Sequence, residues 1–525
     1  MSEQLPFGWY LGSLEQVAKS SGGGTPSKAD SRYWADGTIP WVSPKDMKQF
    51  VIGASEDAVT EMALARLSVI PTGSVLMVVR SGILSRTLPI AITSAPVTVN
   101  QDMRAFTPER GVLAKYVAWQ LIAKERELLR ECSKHGTTVA SMEGPALSRF
   151  PLWIAPSAEQ TRIVAKLEEL LSDLDAGVAE LKVAQKKLAQ YRQSLLKAAV
   201  EGALTAQWRE EQREAQRRQH KPTETGAQLL QRILTERRAR WEAKQLAKFK
   251  EQGKAPPKDW QTKYPDPVQP DTTDLPELPE GWVWASVDQL SPDDLANGRS
   301  VPTADVGAKV LRLTAVKDGR IDLRECKVGA WSVEDAKQFA VAEGDMLIVR
   351  GNGSLTLVGR AGLVGQVGEQ VAYPDTMIRL RLVNSVVSES WVGLVWDSYC
   401  VRTHLERRAR TSAGIYKIAQ PDIVSAPIPV PGLPEQVHVR EMFARQVEQI
   451  SAMQTTLEVG LKQSTAQRQN ILRAAFAGQL VPQNPNDEPA SVLLDRIRTE
   501  RVARTAKPNP RGRKSKEAAC AKPSH

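Results

Sequence analysis

Short apolar runs alternate with polar turns in the first part of the chain. Residues 75–79 form one such run, and Gly-, Pro- and Ser-containing segments such as 22–27 and 71–73 separate it from its neighbours. Runs of this length with β-branched residues predict strands, whereas the apolar spacing over 113–131 predicts helix. The mixture predicts an α+β block over residues 1–156 rather than a series of βαβ units.

A heptad pattern follows over residues 157–202. Ser157 and Gln160 are spaced as a capping box at its start. More than four heptads predict a coiled coil, and a long helix packed on its own domain is the alternative. Gly177 lies on the seam, where it favours a kink. The apolar seam consists of Ile163, Leu167, Leu170, Leu174, Leu181, Ala184, Leu188, Tyr191 and Leu195.

About half the chain later, the same order of elements returns. Residues 5–9, 192–199 and 229–237 recur as 278–282, 468–475 and 493–501. This period is too long for a solenoid and indicates two copies of one domain-plus-helix module. The predicted segments are a first block (1–156), a first long helix (157–202), a helical extension with a Pro-rich linker (203–277), a second block (278–434), a second long helix (435–480), a short helical extension (481–505) and a basic disordered tail (506–525).

The net charge of +10 is unevenly distributed along the chain. Segment 501–525 carries eight Lys or Arg against one Glu, and the rest is nearly balanced, so global charge is a weak argument for nucleic acid. The four cysteines have no paired spacing, which is ordinary for a reducing cytosol. Neither a membrane-spanning apolar stretch nor a secretory signal is found. We therefore expect a cytoplasmic protein.

Motifs for catalysis are missing from the sequence. A phosphate-binding loop and the Asn/Asp-Pro-Pro-aromatic site of an adenine methyltransferase are both absent. Asp322, Glu325 and Lys327 faintly resemble a nuclease triad, but surface charge is the better interpretation. Cys132 and His135 would supply only two of the four ligands of a structural zinc site. We expect no catalytic residue, metal site or cofactor in this chain.

Polar loops in both blocks offer the side chains that contact DNA. Arg, Lys, Asn, Gln, Ser and Thr on loops of a rigid scaffold bind base edges and phosphates. An ordinary solvated loop is the alternative at each position, but matching loops recur in both copies. The candidate DNA-binding residues are Thr25, Ser27, Arg32, Ser43, Lys45, Arg80, Ser81, Arg86, Asn100, Gln101, Lys134, Gly136, Thr137, Thr138, Lys317, Arg350, Asn352, Ser354, Arg360, Arg410 and Ser412.

Two copies of an ordered motif set cover nearly the whole chain. In the first copy the motifs are residues 23–27, 39–47, 136–139, 150–156 and 159–164. The second copy lacks the Gly-Gly-Thr-Pro loop of the first, and Ser-Ala-Gly-Ile at 412–415 replaces Gly-Thr-Thr-Val. With these motifs the chain resembles the specificity subunits of type I DNA restriction–modification systems.

The resemblance implies that the blocks are target recognition domains, each of which recognises one half of a split site in double-stranded DNA. The long helices would pair as an antiparallel coiled coil that spaces the blocks and docks two methyltransferase subunits, and restriction/translocase subunits would join for restriction. S-adenosylmethionine, ATP and Mg would be bound by these partners, which methylate adenine. A self-contained DNA methyltransferase or endonuclease, and a coiled-coil adaptor without DNA contact, are the alternatives.

The length of the long helices leads to a first prediction. Residues 157–202 would span roughly 65–70 Å as one helix, which exceeds the roughly 34–36 Å between half-sites one DNA turn apart. Helix length would therefore set the gap between the half-sites. Deleting one heptad from both helices is expected to change this gap, as mapped by sequencing of methylated sites. An unchanged gap would contradict the hypothesis.

Overall fold

The structure is a computed structural model that describes residues 5–134, 139–219, 223–382 and 389–506. The chain divides into two compact units, Met1–Lys182 with Glu458–His525 and Val183–Leu457. Each unit contains one mixed block of strands and helices together with portions of two 44-residue helices. The predicted α+β class is confirmed.

The first block contains short strands and helices. Its strands are β1 (Tyr10–Ser13), β2 (Ala18–Gly22), β3 (Ile39–Val42), β4 (Val51–Ile52), β5 (Asp57–Val59), β6 (Val75–Val78), β7 (Ile90–Thr93), β8 (Thr98–Val99), β9 (Met103–Pro108), β10 (Ser133–Lys134), β11 (Ser141–Met142) and β12 (Pro151–Ile154). Its helices are α1 (Leu14–Val17), α2 (Ala114–Ala123), α3 (Glu125–Cys132) and α4 (Gly144–Ser148). The helices α5 (Ser157–Val200), α6 (Ala206–Gln219) and α7 (Gly226–Glu251) follow.

The second block has a similar series of elements. Its strands are β13 (Val283–Ser286), β14 (Ala296–Asn297), β15 (Thr303–Leu311), β16 (Val316–Lys317), β17 (Arg320–Ile321), β18 (Cys326–Gly329), β19 (Met346–Val349), β20 (Gly351–Asn352), β21 (Ala361–Leu363), β22 (Val371–Ala372), β23 (Met377–Leu380), β24 (Arg410–Ser412), β25 (Ile415–Lys417) and β26 (Pro427–Val430). Its helices are α8 (Val287–Leu290), α9 (Val333–Ala336), α10 (Glu389–Trp396), α11 (Tyr399–Arg408) and α12 (Gln420–Val424), followed by α13 (Leu433–Phe476) and α14 (Ala490–Ala506).

The two blocks share one strand topology. The first has a sheet of order β2-β9-β6-β7-β4 and a smaller sheet of order β5-β3-β8. The second has β14-β23-β19-β21-β17, extended by β16, and β18-β15-β22. The parallel pairs β4–β7 and β3–β8 correspond to the parallel pairs β17–β21 and β15–β22. The repeat therefore includes the region before Leu67, where the sequences of the two copies hardly align.

A continuous apolar strand lies at the centre of each larger sheet. All four residues of β6 and all four of β19 are buried. Such runs, buried on both faces, need apolar layers on both sides of the sheet. Both strands pair with neighbours on each edge. They therefore provide a rigid base from which the following residues project.

The long helices pair in an antiparallel manner within each unit. In the first unit, Asp175 of α5 forms an ion pair with Arg468 of α13, and Leu181 lies beside Gly460. In the second unit, the hydroxyl of Tyr191 donates to Gln446 Oε1 at 3.3 Å. Residue numbers rise along α5 where they fall along α13, so the predicted antiparallel pairing is confirmed.

One residue assigned to the apolar seam of the first long helix lies outside it. Tyr191 is 49% exposed, whereas Leu171, which the heptad count omits, is buried. Helix α5 runs through Gly177 without interruption. Because 3.6 residues per turn do not match a strict heptad, the buried stripe drifts around a straight helix.

The predicted capping box at the start of the first long helix is wrong. Ser157 is itself the first helical residue, and its hydroxyl donates to the carbonyl of Gly111 at 2.6 Å. The buried side chain of Gln160 donates to the Ala155 carbonyl at 2.8 Å and accepts from the Leu113 amide at 3.0 Å. These polar groups therefore attach the helix to the first block instead of capping it.

The core of the first block includes residues from the far end of the chain. Ala490, Leu493, Leu494 and Ile497 of α14 are buried in the same cluster as Leu14 of α1. Helix α7 has the corresponding role in the second unit, where three of its apolar residues join the core of the second block. The short repeat shared by α7 and α14 is therefore a packing element of each block.

A buried glutamate lies in the first turn of each long helix. Glu159 accepts a hydrogen bond from the indole N–H of Trp9 at 3.0 Å. Glu435 accepts the corresponding bond from Trp282 at 2.8 Å. Both carboxylates thus anchor the tryptophan of the repeated Leu-Pro-x-Gly-Trp segment to the helix that follows its block.

The environments of these two glutamates differ. Glu435 Oε1 also accepts from the Thr205 hydroxyl at 2.7 Å and from the Arg209 guanidinium at 2.6 Å. Glu159 Oε1 is buried and has no hydrogen-bond partner within the described residues. Burial raises the pKa of Glu159 above its ordinary value. Ionisation of Glu159 therefore destabilises the folded state. The charge of Glu435 is instead balanced by the Arg209 guanidinium.

No helix among the described residues has the combination of length and apolar character that membrane crossing requires.

Leu493→Ala is expected to loosen the first block although residue 493 lies near the other end of the chain. Removing a buried leucine side chain costs about 3 kcal/mol. Hydrogen exchange followed by mass spectrometry should show faster exchange in residues 14–18, with the second block unchanged. Val492→Ala, at a side chain that is 48% exposed, is the matched control. Equal exchange in both variants would contradict the packing role of α14.

Glu159→Gln and Glu435→Gln are expected to change stability in opposite directions. The raised pKa of Glu159 means that its favourable contribution is present below pH 4.5 and is lost as the pH rises through the folded pKa. Glutamine keeps an acceptor for Trp9, so Glu159→Gln should raise Tm more at pH 8 than at pH 5. Glu435→Gln leaves Arg209 without its carboxylate and should cost about 3 kcal/mol. A similar loss of Tm for both variants at pH 8 would refute this difference.

Candidate nucleic-acid interface

The central strand of each block leads into an arginine that is held by its backbone. The amide of Arg80, after β6, donates to the Asp102 carbonyl at 3.2 Å, and the amide of Arg350, after β19, donates to the Thr376 carbonyl at 2.8 Å. Both acceptors directly precede the neighbouring strand, β9 or β23. Arg80 is exposed and Arg350 is partly exposed, and neither side chain has a polar partner in the described parts of the chain.

A hairpin lies beside each arginine. In the first block, Arg80 forms an isolated bridge with Ser141 of the β10–β11 hairpin. In the second block, β20 continues from Arg350 and pairs with β25 of the β24–β25 hairpin. The structure therefore brings together residues that are far apart in sequence, at the same position on both scaffolds. These are Arg80, Ser81 and Lys134 in the first block, and Arg350, Asn352, Arg410 and Ser412 in the second.

Three predicted contact residues, Gly136, Thr137 and Thr138, lie outside the described residues. Their flanking strands β10 and β11 are described and pair in register, Ser133 with Met142 and Lys134 with Ser141.

A glycine lets the backbone approach the sheet closely in both blocks. A Cβ on Gly23 would lie 2.1 Å from the Val99 and Asn100 carbonyl oxygens, and a Cβ on Gly298 would lie 2.2 Å from the Pro374 carbonyl oxygen. Any larger residue would clash with backbone at both positions. The second block therefore has a counterpart of the Gly-Gly-Thr-Pro loop, in segment 298–302, that the sequence comparison did not find.

The loop after Gly23 contacts the turn before β9, whose Asp102 carbonyl accepts from the Arg80 amide. The Thr25 hydroxyl donates to Gln101 Oε1, and both residues are exposed. Asn100 is buried, and its side-chain oxygen accepts from the Asp102 amide at 3.1 Å. Asn100 therefore shapes this turn, whereas Thr25 and Gln101 are available to a ligand.

Several predicted cations are already neutralised by carboxylates. Local pairing reduces the net positive potential that attracts DNA phosphates, so these residues are weaker candidates than Arg80 and Arg350. The pairs are Arg32–Asp30 at 2.8 Å, Lys45–Glu56 at 3.1 Å, Lys134–Glu143 at 3.4 Å, Lys317–Glu325 at 3.2 Å and Arg360–Asp397 at 3.0 Å.

The remaining predicted residues differ in exposure. Ser43 is buried, and its hydroxyl donates to Asp46 at 2.8 Å. Ser354 is exposed, with its hydroxyl 2.9 Å from that of Thr356. Ser27 and Arg86 are exposed on loops. Ser43 is therefore engaged inside its block, whereas the other three side chains reach the surface.

Three cations at these loops were missed by sequence reasoning. Lys28 lies 5.5 Å from the Trp34 ring centroid, and Arg299 lies 5.9 Å from that of Trp331. Lys417 is on the exposed face of β25. The available signal was weak, since Lys28 and Lys417 lie near predicted contacts in sequence but in no motif, and Arg299 lies near none of them. Cation–π contacts hold the first two heads at the surface of their blocks.

Acidic groups that resembled a nuclease triad are occupied by cations. A hydrogen bond from Arg324 lowers the pKa of Asp322 to about 2, and Glu325 accepts from Lys317 at 3.2 Å. Among the described residues, no group of three or more His, Cys, Asp or Glu side chains could hold a metal ion.

Comparisons with a family model and with known proteins agree on one family. Residues 6–182 match the type I restriction modification DNA specificity domain. The chain is 38% identical over 188 residues to the type I restriction enzyme EcoR124I/EcoR124II specificity subunit of Escherichia coli, an alignment that covers 35% of this chain and 46% of that relative. It is 26% identical over 385 residues to the EcoKI specificity subunit of Escherichia coli strain K12, covering 70% of this chain and 68% of the relative.

A solved structure shares the fold. It comes from work on complex assembly and conformational transition of the type I R-M system, and it matches with a TM-score of 0.62 at 17% sequence identity. The match covers 91% of this chain and 99% of the solved chain. The two-block architecture with long helices therefore extends beyond the segment that the domain match covers.

Arg80→Ala is expected to weaken duplex DNA binding more than Lys45→Ala. Arg80 has no acidic partner in the described structure, whereas Lys45 contacts Glu56 and Asp57. Loss of one phosphate contact should reduce the slope of log affinity against log salt by about 1. Fluorescence anisotropy over a salt series measures this slope. A larger effect for Lys45→Ala would show that ion pairing with carboxylates does not determine how strongly a cation contributes to DNA binding.

Proposed function

Because the chain belongs to the family of type I restriction–modification specificity subunits, we propose that it recognises a bipartite site in double-stranded DNA. Each block contacts one half-site. The observation that carries the proposal is the repeated position of an arginine, a close-approach glycine loop and a hairpin on two scaffolds of one topology.

Differences between the blocks support two distinct half-sites. The first block presents Thr25 on its glycine loop and Gln101 on the turn before β9, whereas the second presents Arg299 over Trp331. Side chains that differ at matched positions contact different base edges, because donors and acceptors in the major groove distinguish all four base pairs. One scaffold therefore serves two recognition sequences.

Partner subunits carry the chemistry in this proposal. Two methyltransferase subunits dock on the long helices, and restriction/translocase subunits complete the restriction complex. Apolar side chains exposed on these helices support a docking role: Val183 is 53% exposed, Met453 is 55% exposed and Val459 is 46% exposed. The chain itself is non-catalytic and directs adenine methylation, while S-adenosylmethionine, ATP and Mg bind to the partners.

Exchange of one block tests the proposal. Residues 278–434 are replaced by the corresponding block of the EcoKI specificity subunit, and the chimera is assembled with the methyltransferase subunits. Sequencing of methylated DNA is expected to show one altered half-site and one unchanged half-site. A change in both halves, or in neither, would refute recognition by separate blocks.

The same preparation distinguishes the alternative functions. Methyl transfer by the purified chain alone would support a self-contained enzyme. Absence of salt-dependent duplex binding, both alone and with the methyltransferase subunits, would support a protein adaptor.

A further inference from the structure

The strands of the hairpin β24–β25 are connected by a regular two-residue turn, which fits the twist of a β-ribbon. Its register pairs Arg410 with Lys417 and Ser412 with Ile415. The two turn residues, Ala413 and Gly414, have φ values of 49° and 76°. Positive φ at both central positions is the type I′ geometry, which matches the twist of the two strands. The hairpin is therefore a defined ribbon and not an irregular loop.

The two faces of this ribbon differ. Successive side chains point to opposite faces of a strand. Tyr416 is partly buried and packs against the core of the second block, and it pairs with Thr411. The opposite face therefore carries Arg410, Ser412, Ile415 and Lys417, all of which are exposed.

The base of the exposed face holds two cations directly opposite each other. Like charges at directly paired positions destabilise a sheet. Arg410 and Lys417 have no carboxylate partner in the described part of the chain, whereas many other cations of this block do. Gly351, paired with Lys417 on the next strand, has no side chain to cover it. An anion between the two cations would remove the repulsion, and a DNA phosphate is such an anion.

The tip of the exposed face has a different chemistry. Ser412 offers a hydroxyl donor and acceptor, and Ile415 is an apolar side chain that is 43% exposed. In the major groove, hydroxyl groups bond base edges and apolar side chains contact the thymine methyl group.

We infer that the hairpin β24–β25 enters the major groove of the half-site bound by the second block. Arg410 and Lys417 contact phosphates, whereas Ser412 and Ile415 contact base edges. The inference rests on the proposed function. A major groove about 12 Å wide admits a two-stranded ribbon. This placement removes one residue from the predicted DNA contacts. Asn352 pairs with Tyr416 on the inner face of the ribbon and therefore lies away from the DNA.

Two sets of variants in the full chain, assembled with methyltransferase subunits, test this division of roles. Binding is measured over a salt series for the cognate duplex and for a duplex in which the second half-site is randomised. Arg410→Ala with Lys417→Ala should weaken binding to both duplexes by the same factor and reduce the salt slope by about 2. Ser412→Ala and Ile415→Ala should each weaken only cognate binding, about tenfold, and relax the methylated sequence in one half-site.

Controls distinguish this inference from the wider proposal. Arg324→Ala, at an exposed side chain of the same unit paired with Asp322, should leave both duplexes unaffected. Ile415→Val, which keeps strand propensity, replaces Ile415→Ala if Tm falls. Folded tip variants with wild-type affinity and an unchanged methylated sequence would overturn the inference while the proposed function stands. A wild-type complex without any preference for the cognate duplex would refute the proposed function itself.

Discussion

The structure depends on the packing of α14 into the first block. Leu493, Leu494 and Ile497 complete a core that begins with Leu14, so the two ends of the chain must meet. In the first unit this requirement brings the end of α13 against the start of α5, where Ile471 and Phe476 join Ile163 and Leu167 in one buried cluster. The antiparallel pairing of the long helices within the unit follows from it. In the second unit, α7 and the start of α13 fulfil the same requirement.

A scaffold fixed in this way leaves the loops free to differ. The buried central strands β6 and β19 and their neighbours are equivalent in both blocks, whereas the exposed residues at their ends are not. Loops on a rigid sheet position contact side chains without contributing to the core. This separation explains how one repeated module can carry two recognition surfaces. It also explains why the helical repeats are easier to align than the loop regions.

Long-period features of the fold could be predicted from the sequence. Heptads over many turns identify α5 and α13, because a sustained apolar seam is typical of long helices that pair with one another. Strand pairing could not be predicted, since partners such as Trp41 and Thr98 are far apart in the chain. The predicted capping role of Ser157 is wrong because the helix begins at Ser157 itself, and the first helical hydrogen bond runs from the Gln160 amide to the Pro156 carbonyl.

The candidate site shows a similar division. Arg80 and Arg350 could be identified because each follows an apolar run, residues 75–79 in the first block and 346–349 in the second. The loop at Gly298 was missed, since its equivalence to Gly23 lies in the approach of two backbones and not in residue identity. The sequence did not distinguish Lys45 and Lys317 from the other candidate DNA-binding cations. The carboxylates that neutralise them come into contact only after folding.

Independent recognition of two half-sites can be tested by hydrogen exchange of the assembled complex, with and without cognate DNA. Cognate DNA is expected to slow exchange in 79–86 of the first block and in both 350–354 and 410–417 of the second. With the second half-site randomised, protection should remain in 79–86 and disappear from the two segments of the second block. Protection that disappears from both blocks together, or that is found in neither with the cognate duplex, would contradict independent recognition of two half-sites.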